Sequence, residues 1–105
     1  MNGNAVTQFR RAGRRGHCPC CARELPLTFH HLIPRKLHRR KHYQRHYDKA
    51  TLAQGIYVCR DCHDGIHRAY SEMELAKGLA TPEALLSDPE LARHFAWVSR
   101  QRRRS

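Results

Sequence analysis

Acidic residues are scarce in this chain: nine Asp and Glu stand against twenty Lys and Arg, giving a net charge of +11 over 105 residues. That balance favours phosphate as the partner, the more so because sixteen of the twenty basic residues are arginine, whose planar fork matches phosphate oxygens. No apolar run is long enough to cross a bilayer, and no N-terminal succession of basic, apolar and small residues marks an exported protein. The expectation is a cytoplasmic protein without a membrane partner. A chain of this length with 28% charged residues forms one domain whose core is marginal without a staple. Cysteine is odd in number, at five, which excludes a complete disulfide framework and, in a reducing compartment, points to metal binding.

What is present is concentrated in Val58-Cys59-Arg60-Asp61-Cys62-His63-Asp64-Gly65-Ile66-His67. Cys59 and Cys62 have the offset at which a tight turn aims two sulfurs at one ion, and Cys18 and Cys21 repeat it upstream. Four thiolates close a tetrahedral zinc site. Cys20 has no counterpart in the second pair and reads as a spare buried thiol. His63 and His67 are four apart, so on a helix they project from one face and can share a second metal. A third ligand is required, and the best candidate lies in the strand-like run Leu27–Pro34, with His30 and His31 at its centre.

The remaining chain divides around these motifs. Residues 1–16 form a basic arm with Arg10, Arg11, Arg14 and Arg15, read either as a solvated tail or as a DNA-contacting segment. Between Pro34 and Gln54 lies the densest charge, with Arg35, Lys36, Arg39, Arg40, Lys41 and Arg45 in a helix or loop suited to a phosphate backbone and Tyr43 and Tyr47 as apolar anchors. Gly55–Val58 is a short strand. Over 71–105 the pattern predicts three short helices and a basic tail: Ser71 with Glu74 fits a capping box, and Thr81-Pro82 and Asp88-Pro89 each set a capping side chain before a first-turn proline. In the last helix Leu91, Phe95 and Val98 form the apolar face, with Trp97 close to it.

In order, the motifs are Cys-x-x-Cys, His-His in a strand, a second strand, and Cys-x-x-Cys-His-x-x-x-His. Over residues 17–70 this resembles the HNH endonucleases of the ββα-metal superfamily, small free-standing members with a four-cysteine zinc site. The resemblance implies an α+β fold: a ββα-metal finger stapled by structural Zn2+, with a basic insertion between the strands and a helical extension behind. It also implies that His30, His63 and His67 hold a second divalent metal (Ni2+, Co2+, Mn2+, Mg2+ or Zn2+) and that His31 is the general base. Gln54 stands where the family has the asparagine that braces the base-bearing loop.

The chemistry of phosphodiester hydrolysis fits that set independently. An imidazole titrating near neutrality can take a proton from water, and a divalent ion can neutralise charge developing on the phosphate and the leaving oxygen. Adjacent strand residues face opposite ways, so His30 and His31 share one site only if the strand ends or twists there. Arg68, after the last ligand, either reaches the scissile phosphate or is an ordinary surface arginine. The expected activity is a metal-dependent endonuclease cutting double-stranded DNA with little sequence preference, because no groove-reading helix stands out. The alternatives are a non-catalytic zinc-stabilised DNA-binding module, or a nuclease subunit of a phage packaging or restriction machine.

Overall fold

A computed structural model of the chain describes residues 14–101. Arg10, Arg11 and Arg102–Arg104 lie outside the described residues. The fold is α+β, built on a three-stranded antiparallel sheet in the order β1-β2-β3, with β1 Arg14–His17, β2 Glu24–His31 and β3 Gly55–Cys59. Two of the strands are those read from the sequence. The first is not: Arg14, Arg15 and Gly16, assigned above to the basic arm, pair with Leu27, Pro26 and Leu25 of β2. Nothing in Arg-Arg-Gly-His favours a strand, but β2 offers a free edge, and the Arg14 guanidinium packs over the Tyr57 ring at 4.7 Å.

The β1–β2 connection is the first cysteine knuckle. Its closing bonds run from Ala22 N–H to the Cys18 carbonyl (2.7 Å) and from Cys18 N–H to the Arg23 carbonyl (2.9 Å). Ala22 makes the turn with φ of 70°, a left-handed conformation that costs an L-residue about 1–2 kcal/mol.

The basic insertion folds as a 3-10 turn at Arg35–Leu37, helix α1 at Lys41–His46 and helix α2 at Lys49–Leu52. Ile33, Leu37, Tyr43 and Leu52 from this segment form a small core of their own with Ala76. Its cations stay outside: Arg35, Lys36, Arg39, Arg40, Lys41 and Arg45 are all exposed.

β3 runs directly into helix α3, Arg60–Ala69, which buries Cys62, Gly65 and Ile66. Three helices follow, as the capping pattern predicts: α4 Glu72–Gly78, α5 Pro82–Ser87 and α6 Pro89–Ser99. Ser71 and Glu74 close the reciprocal box, and Thr81 and Asp88 accept from Ala84 and Leu91 N–H. Each cap satisfies donors that the helix leaves open, a contribution of about 1 kcal/mol. Leu91, Phe95 and Val98 are buried, so α6 lies against α3 and the sheet. Trp97 stays outside, 54% exposed and stacked with His94. At the α3–α6 crossing a Cβ on Gly65 would collide with the His94 imidazole, which bonds the Asp61 carbonyl at 3.2 Å. Glycine thus leaves room on α3 for the His94 ring as placed here.

Candidate metal centre

The cysteine knuckle and the start of α3 meet at one point. Cys18, Cys21, Cys59 and Cys62 are all buried and reduced, and their sulfurs lie within 4.8 Å of one another. Cys21 and Cys59 sulfurs are 3.7 Å apart. Two Zn–S bonds of about 2.3 Å at a tetrahedral angle put sulfurs about 3.8 Å apart, so the four residues fit a zinc ion. The group could hold a structural metal such as zinc.

Local structure favours the thiolates. Cys59 is the N-cap of α3 and accepts the Cys62 N–H at 3.4 Å, while Cys18 accepts the Cys59 N–H at 3.4 Å. Arg23, its side chain only 10% exposed, directs Nε at Cys21 Sγ (3.3 Å) and Nη2 at Cys59 Sγ (3.5 Å) and Asp61 (3.3 Å). Its Nη1 reaches the Gln101 carbonyl at 3.5 Å, tying the knuckle to the end of α6. Four sulfurs this close share protons: Cys18 is held far below the ordinary thiol range by accepting from Cys20, Cys59 and Cys62, and Cys62 is pushed far above it by donating. Cys20 stays outside the ligand group, as expected, but is half-buried rather than buried; its thiol is pushed up by its bond toward Cys18.

The second cluster lies between β2 and α3. His30, His63 and His67 each offer a ring nitrogen within 4.8 Å of the others, with ring centroids 5.0 to 5.3 Å apart. His30 is fully buried, and among the described residues neither of its nitrogens has a hydrogen-bond partner. An unpartnered buried polar group carries a penalty of about 1–3 kcal/mol, which a coordinated ion at one nitrogen would relieve. Burial first, then neighbouring His63 and His67, pushes the His30 pKa down to about 3, so this imidazole is neutral and ready to ligate near pH 7. Burial likewise lowers that of His63. The pocket is not sealed: His63 is half-buried and His67 is exposed.

Over 87 residues the chain is 36% identical to the uncharacterized protein YisB of Bacillus subtilis (strain 168), an alignment covering 82% of this chain and 76% of that one. The chain belongs to the YisB family. No protein-family model matches it, and no solved structure matches it significantly. The name of the relative assigns no chemistry, so the site has to be read from its own geometry. Among the described residues no helix is long and apolar enough to cross a membrane.

Three residues singled out in the sequence lie outside the three-imidazole cluster. His31 is the last residue of β2 and turns away from His30, its ring against Phe29 (4.8 Å) and His38 (5.6 Å). Strand alternation decides this, since β2 stays paired to its end, His31 opposite Gly55. Gln54 contributes its backbone: its carbonyl accepts the Leu32 N–H at 3.0 Å, holding the strand end, while the side chain is exposed. The bracing expected of its amide is thus made by the main chain. Arg68 lines a cleft with Gly65, Glu90, Leu91 and His94 on the α6 side of α3, away from the face of His63 and His67.

Two contributors carried no obvious signal. Thr28 donates its hydroxyl to the Val58 carbonyl at 3.1 Å, so its oxygen accepts from His63 Nδ1 at 2.8 Å. Strand period two, which sets Thr28 on the face of His30, is the only cue the sequence offered. Arg23 had none beyond its nearness to Cys21, since its other sulfur partner, Cys59, and the Gln101 carbonyl lie 36 and 78 residues away along the chain.

Proposed function

We propose that this protein is a metal-dependent endonuclease of the HNH, ββα-metal type, hydrolysing phosphodiester bonds of DNA with little sequence specificity. The observation that carries the reading is the open three-imidazole cluster: His30 buried, His63 half-buried and His67 exposed, set between an antiparallel strand pair and the helix after it. A structural zinc site is closed by four ligands, whereas three ligands with an exposed side leave room for water and substrate. A divalent ion bound there would supply Lewis-acid stabilisation of the phosphate and the leaving oxygen. In this reading the cysteine cluster is structural and fixes the start of α3.

The remaining work falls to the chain itself. His63 presents Nε2 because Thr28 engages its Nδ1. β2 ends at His31, so a phosphodiester laid across that end would pass the His30 cluster on one face and His31 on the other, and in this reading His31 takes the proton from the attacking water. The exposed cations of the insertion hold the flanking phosphates. Arg40 and Lys41 serve no helix: α1 begins at Lys41, after Arg40, with no acid in its first turn and no side-chain cap. Positive charge there opposes the helix dipole, so these residues destabilise α1 locally and attract anions.

A second reading, a non-catalytic zinc-stabilised DNA-binding module, is favoured by one observation: the His31 ring lies on the sheet face opposite His30. Incubation with supercoiled plasmid and a panel of divalent metals separates the two. The nuclease reading expects nicking that falls about 10²–10⁴-fold in His31→Ala while DNA and metal binding persist. Absence of cleavage with every metal leaves the binding module, whereas an unimpaired His31→Ala removes His31 as the base and keeps the nuclease.

A further inference from the structure

We infer that the insertion between β2 and β3 carries a nucleotide subsite, one that takes a single unpaired nucleotide of the DNA strand being cut. Two adjoining clefts form it. The first, of about 550 Å³, lies beside the end of β2, its floor made by buried Leu52 and half-buried Tyr47, His31 and His38, its rim by exposed Arg35, Gln44 and Lys49. The second, of about 480 Å³, is lined by Arg35, Lys36, His38 and Arg39 and shares the Arg35–His38 wall. Both volumes lie in the range of small-ligand sites, about 300–1,000 Å³.

The division between the clefts matches the division within a nucleotide. The first offers an aromatic face, an aliphatic floor and the Gln44 amide, which both donates and accepts and so suits the edge of a base. The second is lined by cations and an imidazole with no apolar residue among them, which suits a phosphate. Tyr47 is firmly held for a stacking role: its ring packs parallel on Tyr43 (centroids 5.7 Å, 18° between planes), whose hydroxyl donates to Met73 Sδ at 3.3 Å. His38 is fixed by its bond to the Ile33 carbonyl at 2.7 Å. A paired base is stacked on both faces inside the duplex and cannot enter such a cleft, so the occupant is unpaired or extruded. His31 lines the first cleft and directly follows His30, which sets a nucleotide bound there next to the strand end that the phosphodiester crosses. That the occupant belongs to the strand being cut rests on the endonuclease reading; the nucleotide binding itself does not.

The test uses the zinc-loaded protein without added catalytic metal, titrated into a single-stranded deoxyoligonucleotide carrying one 2-aminopurine. Binding should change the emission of the probe as its base leaves the strand stack for Tyr47, and the same probe paired in a duplex should bind without that change. Loss of base–aromatic stacking should weaken single-strand binding about 5- to 150-fold in Tyr47→Leu, with the emission change abolished. Gln44→Ala, at an exposed position where folding is not at stake, should alter the relative affinity for different bases at the probe position. An emission change retained in full by Tyr47→Leu, or identical behaviour of single strand and duplex, overturns the subsite. Plasmid nicking run alongside keeps the two ideas apart: an intact probe response without nicking removes the nuclease and leaves the subsite, and nicking without a probe response does the reverse.

Discussion

Thr28 sets the tautomer of His63. Its single hydroxyl proton goes to the Val58 carbonyl at 3.1 Å, so the oxygen is left to accept from Nδ1–H at 2.8 Å, and Nε2 keeps its lone pair for the cluster with His30 and His67. Partners of this kind orient metal-binding histidines, and their loss commonly weakens metal binding about 10–100-fold. Thr28→Val, which keeps the shape and removes the acceptor, should lower affinity at the three-histidine site by that factor. Thr28→Ser should restore most of it. Calorimetric titration of metal into protein whose cysteine site is already loaded measures both; equal affinities in all three proteins would show that the bond is immaterial.

Metal preference follows from the ligand set. If His30, His63 and His67 hold an ion, three imidazoles suit nickel, cobalt and manganese better than magnesium, a hard cation that keeps its waters. Nickel, cobalt or manganese should support plasmid nicking at lower concentration than magnesium, with zinc bound yet a poor activator. His30→Asp should shift the preference toward magnesium. Strong activity of the unaltered protein with magnesium alone would remove His30 from the ligand set.

The cysteine cluster separates structural from spare thiols. Cys59→Ala removes both a ligand and the N-cap of α3 and should unfold or aggregate the protein, whereas Cys20→Ser should retain one tightly held zinc per chain. Arg23→Met keeps the buried stem but leaves the sulfurs of Cys21 and Cys59 without their cationic donor. Hydrogen bonds to charged groups contribute about 1.5–3 kcal/mol, so zinc release to a chromogenic chelator should be measurably faster in that variant. A release rate equal to that of the unaltered protein would assign Arg23 to packing alone.

In the proposed function the exposed cations of the insertion are what would hold the phosphates, so salt should weaken DNA binding steeply. Removing Arg39, Arg40 and Lys41 together should flatten the plot of log affinity against log salt by about 0.9 per lost phosphate contact. An unchanged slope would transfer binding to the basic termini.

Ala22 turns the knuckle with φ of 70°. Ala22→Gly should relieve about 1–2 kcal/mol of backbone strain, partly offset by about 0.4–1 kcal/mol of added freedom in the unfolded chain. The net gain should appear as a small rise in thermal midpoint for the zinc-loaded protein. A lower midpoint would mean that the methyl group contributes packing that outweighs the strain.

Much of this was legible in the sequence because it is local. Cysteine offsets of three, the four-residue spacing of His63 and His67, and the paired caps at Ser71, Thr81 and Asp88 depend only on turn and helix geometry, and each stands in the fold as spaced. The basic insertion between two strands was legible as well, and the α+β class is what the resemblance implied. Tertiary structure decided what depends on distant partners. β1 exists because β2 has an edge to fill and Tyr57 a face for Arg14, so four residues with no strand preference became one. Arg23 reaches Cys59, and Thr28 its imidazole, only because the knuckle and β2 meet the start of α3. The clearest case is the pair His30 and His31. The sequence placed two imidazoles side by side; only the sheet, by staying paired through His31, sent one into the buried cluster and the other into the cleft beneath the basic insertion.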